Sequence, residues 1–434
     1  MKKLVLTTIA FVIALMANAA DCDFVYETYG NVKLYCKITK AATSTSSTGR
    51  GAVTIVGGTG PEGSEVYISL VSYNGYDYRP TAIAAEAFKD AEWISILHLG
   101  SYDKSVGDYA FRGCTNLTKL YIHQNSILGM GEFYGCSSLE SVDIPQTITT
   151  IPDRCFCNCY KLSTLTIGRD VTTIGDYAFY GTNLTKVTIP SSVTSLGKQI
   201  FAQDFLSTKG LKYINININS NALVSQDYTF ENNLTDRFGI EGRSVNIVFS
   251  EGITTIGKYA FADDYETGPR DVREWDAYYK TKVHVTFPST LKEIHYGAFN
   301  HSRIVVLELP EGLQTIGSIA FANCYILASV TIPSTLSSVN YVAFNADEDI
   351  HVIHANAANP DAYHGLVNGN YDRKLATVYV KDMNVYNSIE SIKDKLGNFV
   401  LLNGTDPTIK EDVNEDGQVN SLDVLKVYKY MQSH

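Results

Sequence analysis

The residues best suited to chemistry lie near the C-terminus, in the run DVNEDGQVNSLDVLKVYKYM. Asp412, Asn414 and Asp416 stand at positions 1, 3 and 5 of a loop. Gly417 at position 6 permits a tight turn, Gln418 offers its backbone carbonyl at 7, Asn420 stands at 9 and Asp423 supplies a carboxylate at 12. Hard oxygen donors at this spacing suit calcium, whose flexible shell accepts carboxylates, amide carbonyls and backbone oxygens. Leu422, Leu425 and Tyr428 recur at helical spacing, so a helix is expected directly after the loop. The competing reading is an ordinary Asx-rich turn ahead of a helix.

Elsewhere the reactive residue types fall into structural patterns. Cys114, Cys136, Cys159 and Cys324 each stand three residues after a phenylalanine, where a small buried thiol packs well. Cys155-x-Cys157-x-Cys159 has the look of a metal cluster, yet two of its members fall on positions that other parts of the chain fill with Ala and Cys. Cys22 and Cys36 flank an N-terminal hairpin and are a candidate disulfide in an oxidising compartment. Gly58, Gly60 and Gly63 spell a dinucleotide fingerprint, but SEVYISLVSY follows as strand, so a phosphate would lack its helix N-terminus. His351 and His354 have no carboxylate at metalloprotease spacing and read as surface imidazoles. No serine elbow or nucleophile–base pair is in register. The chain reads as a binding protein and not as an enzyme.

What positions these residues is an internal repeat. Phe88, Phe111, Phe133, Phe156, Phe179 and Phe201 are spaced 23, 22, 23, 23 and 22 residues apart. Phe230, Phe261, Phe299, Phe321 and Phe344 continue the series. Behind each anchor other positions keep step: Cys114, Leu117, Leu120 and Ile122 follow Phe111, and Cys159, Leu162, Leu165 and Ile167 follow Phe156. Leu120 and Ile122 alternate with Lys119 and Tyr121, which is strand periodicity. Such a strand is too short to fold alone. Stacked in parallel on its neighbours it satisfies its backbone and buries its apolar face. The expected architecture is a mainly β solenoid of stacked parallel strands, about 23 residues per repeat, with short helical or 3-10 turns.

The runs GCTNLTKLYI and IGDYAFYGTNLTKVTIPSSVTSLG resemble the BspA-like branch of bacterial leucine-rich repeats, over about residues 79–355. VKLYCKIT and YNGYDYRPTAIAAEAF are also family-like, and Asn74-Gly75 signals a hairpin, so residues 20–78 read as a β cap. ATVYVKDMNVYNSI resembles the closing module after such arrays, at 356–404. The C-terminal loop, within 405–434, is similar to a dockerin-type repeat: Asp423 replaces the usual glutamate, and NGTDPTIKED has no helical pattern before it. One such repeat is seen where a full module has two, which leaves cohesin docking open. The resemblance implies a secreted or cell-surface factor of a host-associated bacterium, adhering to host protein or glycan, or an envelope component attached through its calcium module.

Export is also read directly. Lys2 and Lys3, the apolar run Leu4 to Met16 and Ala17-Asn18-Ala19 form a Sec signal peptide over 1–19, with Ala20 as the alternative cut. Asp21 before Cys22 breaks the lipobox pattern. No later run is apolar enough to span a membrane. The net charge of −11 repels nucleic acid, so it is not an expected partner.

The period stretches in the middle: Phe201 to Phe230 is 29 residues, Phe230 to Phe261 is 31 and Phe261 to Phe299 is 38. The longest insertion carries Tyr265, Arg270, Arg273, Trp275, Tyr278 and Tyr279, residue types enriched at binding hot spots. It is either a partner-binding loop or a solvated insertion. The outward strand positions, among them Lys119, Tyr121, Ser141, Asp143, Thr164, Thr166, Lys186, Thr188, Val306 and Glu308, are a second candidate surface.

Overall fold

The computed structural model describes residues 22–28, 30–45, 47–100, 105–197, 200–201, 213–224, 244–262, 282–345, 347, 350–367, 376–380, 383–389, 391, 396 and 398–401. Two compact units, Met1–Leu211 and Lys212–His434, make up the chain.

The first unit opens with β1 (Phe24–Glu27), β2 (Lys33–Lys40) and β3 (Gly51–Thr59), paired antiparallel in that order. After β4 (Ser64–Ile68), the strands β5 (Val71–Tyr73) and β6 (Tyr76–Ile83) form a hairpin. Its turn residues Asn74 and Gly75 have φ of 51° and 78°, the left-handed pair that a two-residue hairpin demands. β6 lies parallel to β3 and completes the cap sheet with β8 (Ser105–Val106). β4 leaves the cap and pairs in parallel with β7 (Ile94–Leu99), which starts a ladder. β9 (Lys119–Ile122), β10 (Ser141–Asp143) and β12 (Thr164–Thr166) extend it, all parallel. A second ladder stacks β11 (Thr150–Ile151), β13 (Thr173–Ile174) and β15 (Ser195–Leu196). β14 (Lys186–Ile189) lies between β13 and β15 in the chain.

The Ala-Phe segments form a third stacked side. Glu86, Phe88 and Asp90 donate their N–H to Asp108, Ala110 and Arg112 one coil on, at 3.1, 2.7 and 2.7 Å. Tyr109, Phe111 and Gly113 repeat this toward Met130, Glu132 and Tyr134 at 2.8, 2.9 and 2.8 Å. The N–H groups between them close local turns, as Lys89 does on Glu86 at 3.1 Å. This alternation requires left-handed backbone two residues before and two after Phe88, Phe111, Phe133, Phe156 and Phe179. Glu86 and Asp90 have φ of 54° and 55°, Arg154 and Asn158 of 54° and 62°. Outside glycine such a residue costs about 1–2 kcal/mol, which the inter-coil bonds offset.

Inside the coils, Phe88, Phe111, Phe133, Phe156, Phe179 and Phe201 stack face to face, with centroids 4.9, 5.7, 5.4, 5.6 and 6.0 Å apart. The repeat cysteines finish the packing. Cys114, Cys136 and Cys159 point Sγ at the carbonyls of Phe88, Phe111 and Phe133, at 3.3, 3.4 and 3.2 Å. A thiol is small, apolar and still a weak donor, which explains cysteine at a dry position beside a carbonyl.

The second unit repeats the plan. β16 (Tyr213–Ile218), β17 (Ser244–Phe249) and β19 (Lys282–Thr286) are parallel and in register, while β18 (Thr255–Ile256), between β17 and β19 in the chain, starts a separate short ladder. β18, β20 (Glu293–Ile294), β22 (Thr315–Ile316) and β24 (Ser338–Val339) form that ladder. β21 (Val306–Glu308), β23 (Ser329–Ile332) and β25 (Val352–Ala355) make a further parallel sheet. β26 (Thr377–Val380) and β27 (Asn398–Leu401), inside the expected closing module, stack on in the same register. Phe261, Phe299, Phe321 and Phe344 form its ring column, at 5.2, 5.3 and 5.3 Å. Glutamates tie its turns together: Glu251 accepts from the N–H and hydroxyl of Ser289 at 3.0 and 3.1 Å, and Glu311 from Ser334 at 3.2 and 2.8 Å.

The stacked parallel solenoid is thus the fold the repeat implies. Truncating one ring of the column, Phe156→Ala, is expected to destabilise the first unit by about 3–5 kcal/mol in urea denaturation. An unchanged midpoint would mean that the ring column does not hold the coils.

Candidate binding face

Along β4, β7, β9 and β10 alternate residues go inside. Val66, Leu97, Leu120 and Val142 are buried. Their neighbours face out and line up in rows, because parallel strands in register place equivalent residues side by side. One row runs Tyr67, His98, Tyr121. Lys119 pairs with Ser141, so Asp143 follows Tyr121 in that row, and Thr166 follows Asp143. The adjacent row runs Glu65, Ile96, Lys119, Ser141, Thr164.

The first three side chains of the row form a stack. Tyr67 lies on His98 with ring centroids 4.2 Å apart and planes 9° from parallel. His98 lies on Tyr121 at 4.4 Å and 12°. His123 stands alongside, 6.4 Å from His98. Tyr67 and Tyr121 remain 47% and 46% exposed, unusual for rings that are packed on a neighbour. Glu65 locks the stack: its Oε1 accepts from Tyr67 Oη at 2.8 Å and from His98 Nε2 at 2.7 Å. These bonds hold the Glu65 carboxyl below its ordinary value of 4.5, His98 contributing most and Tyr67 next, against a smaller opposing effect of desolvation. The same contact raises the Tyr67 phenol above its ordinary range. The second unit holds a shorter analogue, His354 on Tyr379 at 5.2 Å and 17°.

On the Ala-Phe side of the first unit Arg112 sits over the rings of Tyr109 and Tyr134, at 5.7 and 5.5 Å, and Arg154 over Tyr177 at 5.2 Å. The Arg112–Tyr134 and Arg154–Tyr177 contacts join successive coils through side chains, as the backbone joins them underneath.

Of the outward positions expected from sequence, Lys119, Tyr121, Ser141, Asp143, Thr164, Thr166, Lys186, Thr188 and Glu308 are exposed. Val306 is not: it is 9% exposed and belongs to the core. Glu65, Tyr67 and His98 were not among the expected positions. The alternation of Glu65 to Ile68 was their signal, but those residues read as cap. The loop residues Tyr265, Arg270, Arg273, Trp275, Tyr278 and Tyr279 lie outside the described residues. So do Asp412, Asn414, Asp416, Gln418, Asn420 and Asp423, the expected signal peptide at 1–19 and Phe230.

All eight cysteines are thiols. The candidate Cys22–Cys36 bridge is not formed in this structure; Cys36 is buried, and its Sγ is directed at the Leu34 carbonyl at 3.7 Å. Burial, and then the neighbouring Cys22, push the Cys36 thiol up to about 12. Cys155 is held well above the ordinary thiol range, first by burial and then by Glu132 and Cys159. Among the described residues no group of three His, Cys, Asp or Glu side chains is placed to hold a metal. Gly58 and Gly60 serve packing: a Cβ there would run into Phe88 and the Lys33 carbonyl, and into the Trp93 ring. Among the described residues no helix is long and apolar enough to cross a membrane.

A family model for the BspA type leucine rich repeat region matches residues 81–207 and 275–360, in 6 copies. The repeats are BspA-type leucine-rich repeats. A dockerin type I domain is matched at residues 410–434. No curated protein matches this chain. Among solved structures it is similar to the pneumococcal vaccine antigen PcpA, at 16% identity and TM-score 0.38, covering 88% of this chain and 99% of that one. It is also similar to a leucine rich cell surface protein from Faecalibacterium prausnitzii A2-165, at 18% identity and TM-score 0.31, covering 85% and 98%. A leucine-rich repeat protein from Bacteroides ovatus matches at 18% identity and TM-score 0.28, covering 84% and 98%.

The sign of the Glu65 shift fixes its pH behaviour. A carboxyl held low in the folded state contributes to order above 4.5, and the contribution is lost as pH falls through the lowered value. Carbon-13 NMR titration is expected to place Glu65 below 4.5, and His98→Ala to return it toward 4.5. An identical titration in the two proteins would show that His98 does not hold it.

Proposed function

We propose that this protein is an exported bacterial surface or secreted binding protein that adheres to host extracellular protein or glycan through its leucine-rich repeat face. The observation that carries the reading is the Tyr67–His98–Tyr121 stack: half-exposed rings held rigid by Glu65 on a sheet of stacked coils. Exposed aromatics fixed before a partner arrives lose little rotamer freedom on binding. The coils act as scaffold, and the work is recognition rather than catalysis. The signal-peptide pattern at 1–19 supports export.

The insertion bearing Tyr265, Arg270, Arg273, Trp275, Tyr278 and Tyr279 is a second contact surface in this reading. The C-terminal module binds calcium: Asp412, Asn414, Asp416, Asn420 and Asp423 supply side-chain oxygens and Gln418 a carbonyl, a donor set of the hard type that calcium takes. The dockerin type I match supports that assignment and also favours a second reading, in which the protein is an assembly component of the cell envelope attached through this module.

Immobilised protein offered matrix and mucus extracts, with and without calcium, is expected to retain a host protein or glycan. Deleting residues 264–279 is expected to weaken that retention. Retention of bacterial envelope proteins alone supports the assembly reading, and unchanged retention after the deletion removes the loop from the account. Calorimetry of the full chain with calcium is expected to show binding heat that Asp412→Ala with Asp416→Ala abolishes. Equal heats in both proteins would place the ion elsewhere.

A further inference from the structure

We propose that the outer face of Tyr121 is a platform for a neutral pyranose residue of a glycan, which stacks there as the next ring of the ladder, above Asp143. The inference rests on the binding reading and names its ligand class at this face.

The geometry comes from the row itself. Tyr67, His98 and Tyr121 follow one another at 4.2 and 4.4 Å, close to the spacing of neighbouring strands. His98 covers one face of Tyr121. On the other side the row continues with Asp143 and Thr166, side chains too short to reach over the ring. Tyr121 is accordingly 46% exposed while one of its faces is stacked. A flat apolar surface of ring size therefore stands at the edge of a shallow step.

Pyranose rings match that step. Their C–H face stacks on an aromatic ring, and their hydroxyl rim needs acceptors and donors beside it. Asp143 lies on the next rung, with Ser141 and Thr166 on the neighbouring outward positions and Lys119 one step back in the adjacent row. All four are exposed. A carboxylate that accepts from paired hydroxyls, flanked by side-chain hydroxyls, is polar complementarity of the kind a sugar rim requires.

Charge selects a neutral sugar. Glu65 is committed to Tyr67 and His98. That leaves Asp143 and Lys119 of opposite sign at the platform, with no excess of cations for a sulfate or uronate. The net charge of −11 further disfavours a polyanion. A basic peptide meets the same balance, since Lys119 offsets Asp143. What remains attractive is the ring face and the hydroxyl-bonding groups. The Glu65 lock adds pre-organisation: His98 and Tyr67 support Tyr121 from behind, so the platform does not have to be ordered by the ligand.

The test uses the full chain in affinity electrophoresis through gels containing one polymer each: a β-glucan, a mannan, a xylan and a galactan as neutral probes, polygalacturonate and heparin as anionic ones. At least one neutral polymer is expected to retard the protein. Tyr121→Ala is expected to weaken that interaction about tenfold or more, and Tyr121→Phe to keep it within about twofold. Asp143→Ala is expected to weaken it several-fold and, touching no ring of the stack, serves if Tyr121→Ala proves unstable. Retardation by polyanions alone, by no polymer, or equally in wild type and Tyr121→Ala overturns the proposal. Matrix-protein capture that survives in Tyr121→Ala while no neutral polymer binds refutes the sugar platform and leaves the broader binding function standing. Loss of both polymer binding and matrix capture in wild type refutes both.

Discussion

Everything in this molecule depends on backbone groups that no coil can satisfy by itself. A strand of two to six residues closes no ladder of its own. Each coil therefore exchanges hydrogen bonds with its neighbours on three sides, and the direction differs between them. On the second ladder Gly175 N–H donates one coil back, to Ile151 at 2.8 Å. On the Ala-Phe side Phe156 donates one coil on, to Ala178 at 2.8 Å. The result is a structure in which any one position must look like the same position in the coils beside it. The ring column, the thiols aimed at phenylalanine carbonyls and the left-handed residues that flank Phe88, Phe111, Phe133, Phe156 and Phe179 all follow from that demand.

The same constraint sets where function can reside. Inward positions are fixed by their neighbours, so chemistry has to come from side chains on the outer rows, where the repeat asks only for a strand. Thr164 and Thr166 are unremarkable occupants of those rows; Tyr67, His98 and Tyr121 are departures that the fold does not need. They cost little, because an exposed strand position tolerates an aromatic well, and they convert a hydroxyl-lined surface into one with a rigid stack. Glu65 removes the freedom that an exposed tyrosine otherwise keeps.

Much of the architecture was legible because the period is strict. Phenylalanine anchors 22 or 23 residues apart fixed the stacking, and the alternation Lys119, Leu120, Tyr121, Ile122 assigned the faces of β9. The candidate site was legible only in part. Tyr121 and Asp143 stood on predicted outward positions, but Glu65 and Tyr67 come from β4, a rung donated by the cap without an Ala-Phe anchor before it. The Tyr67 to His98 separation of 31 residues does not fit the period, so nothing in the spacing joined them. Val306 was misread for a different reason: Ile304, Val305, Val306 and Leu307 form an unbroken apolar run in which alternation gives no face. The third ladder also escaped the pattern, since it is made by backbone groups at Glu86, Tyr109 and Arg154 whose side chains carry no common signature.

The central claim is that the outer strand face of the first unit meets the partner. Hydroxyl-radical footprinting of the full chain, alone and with its captured matrix ligand, tests this most directly. Protection of Tyr67 and Tyr121, with Tyr109 and Tyr134 on the Ala-Phe side unchanged, is the expected result. Protection confined to Tyr109 and Tyr134, or equal labelling of Tyr67 and Tyr121 in both states, would contradict it.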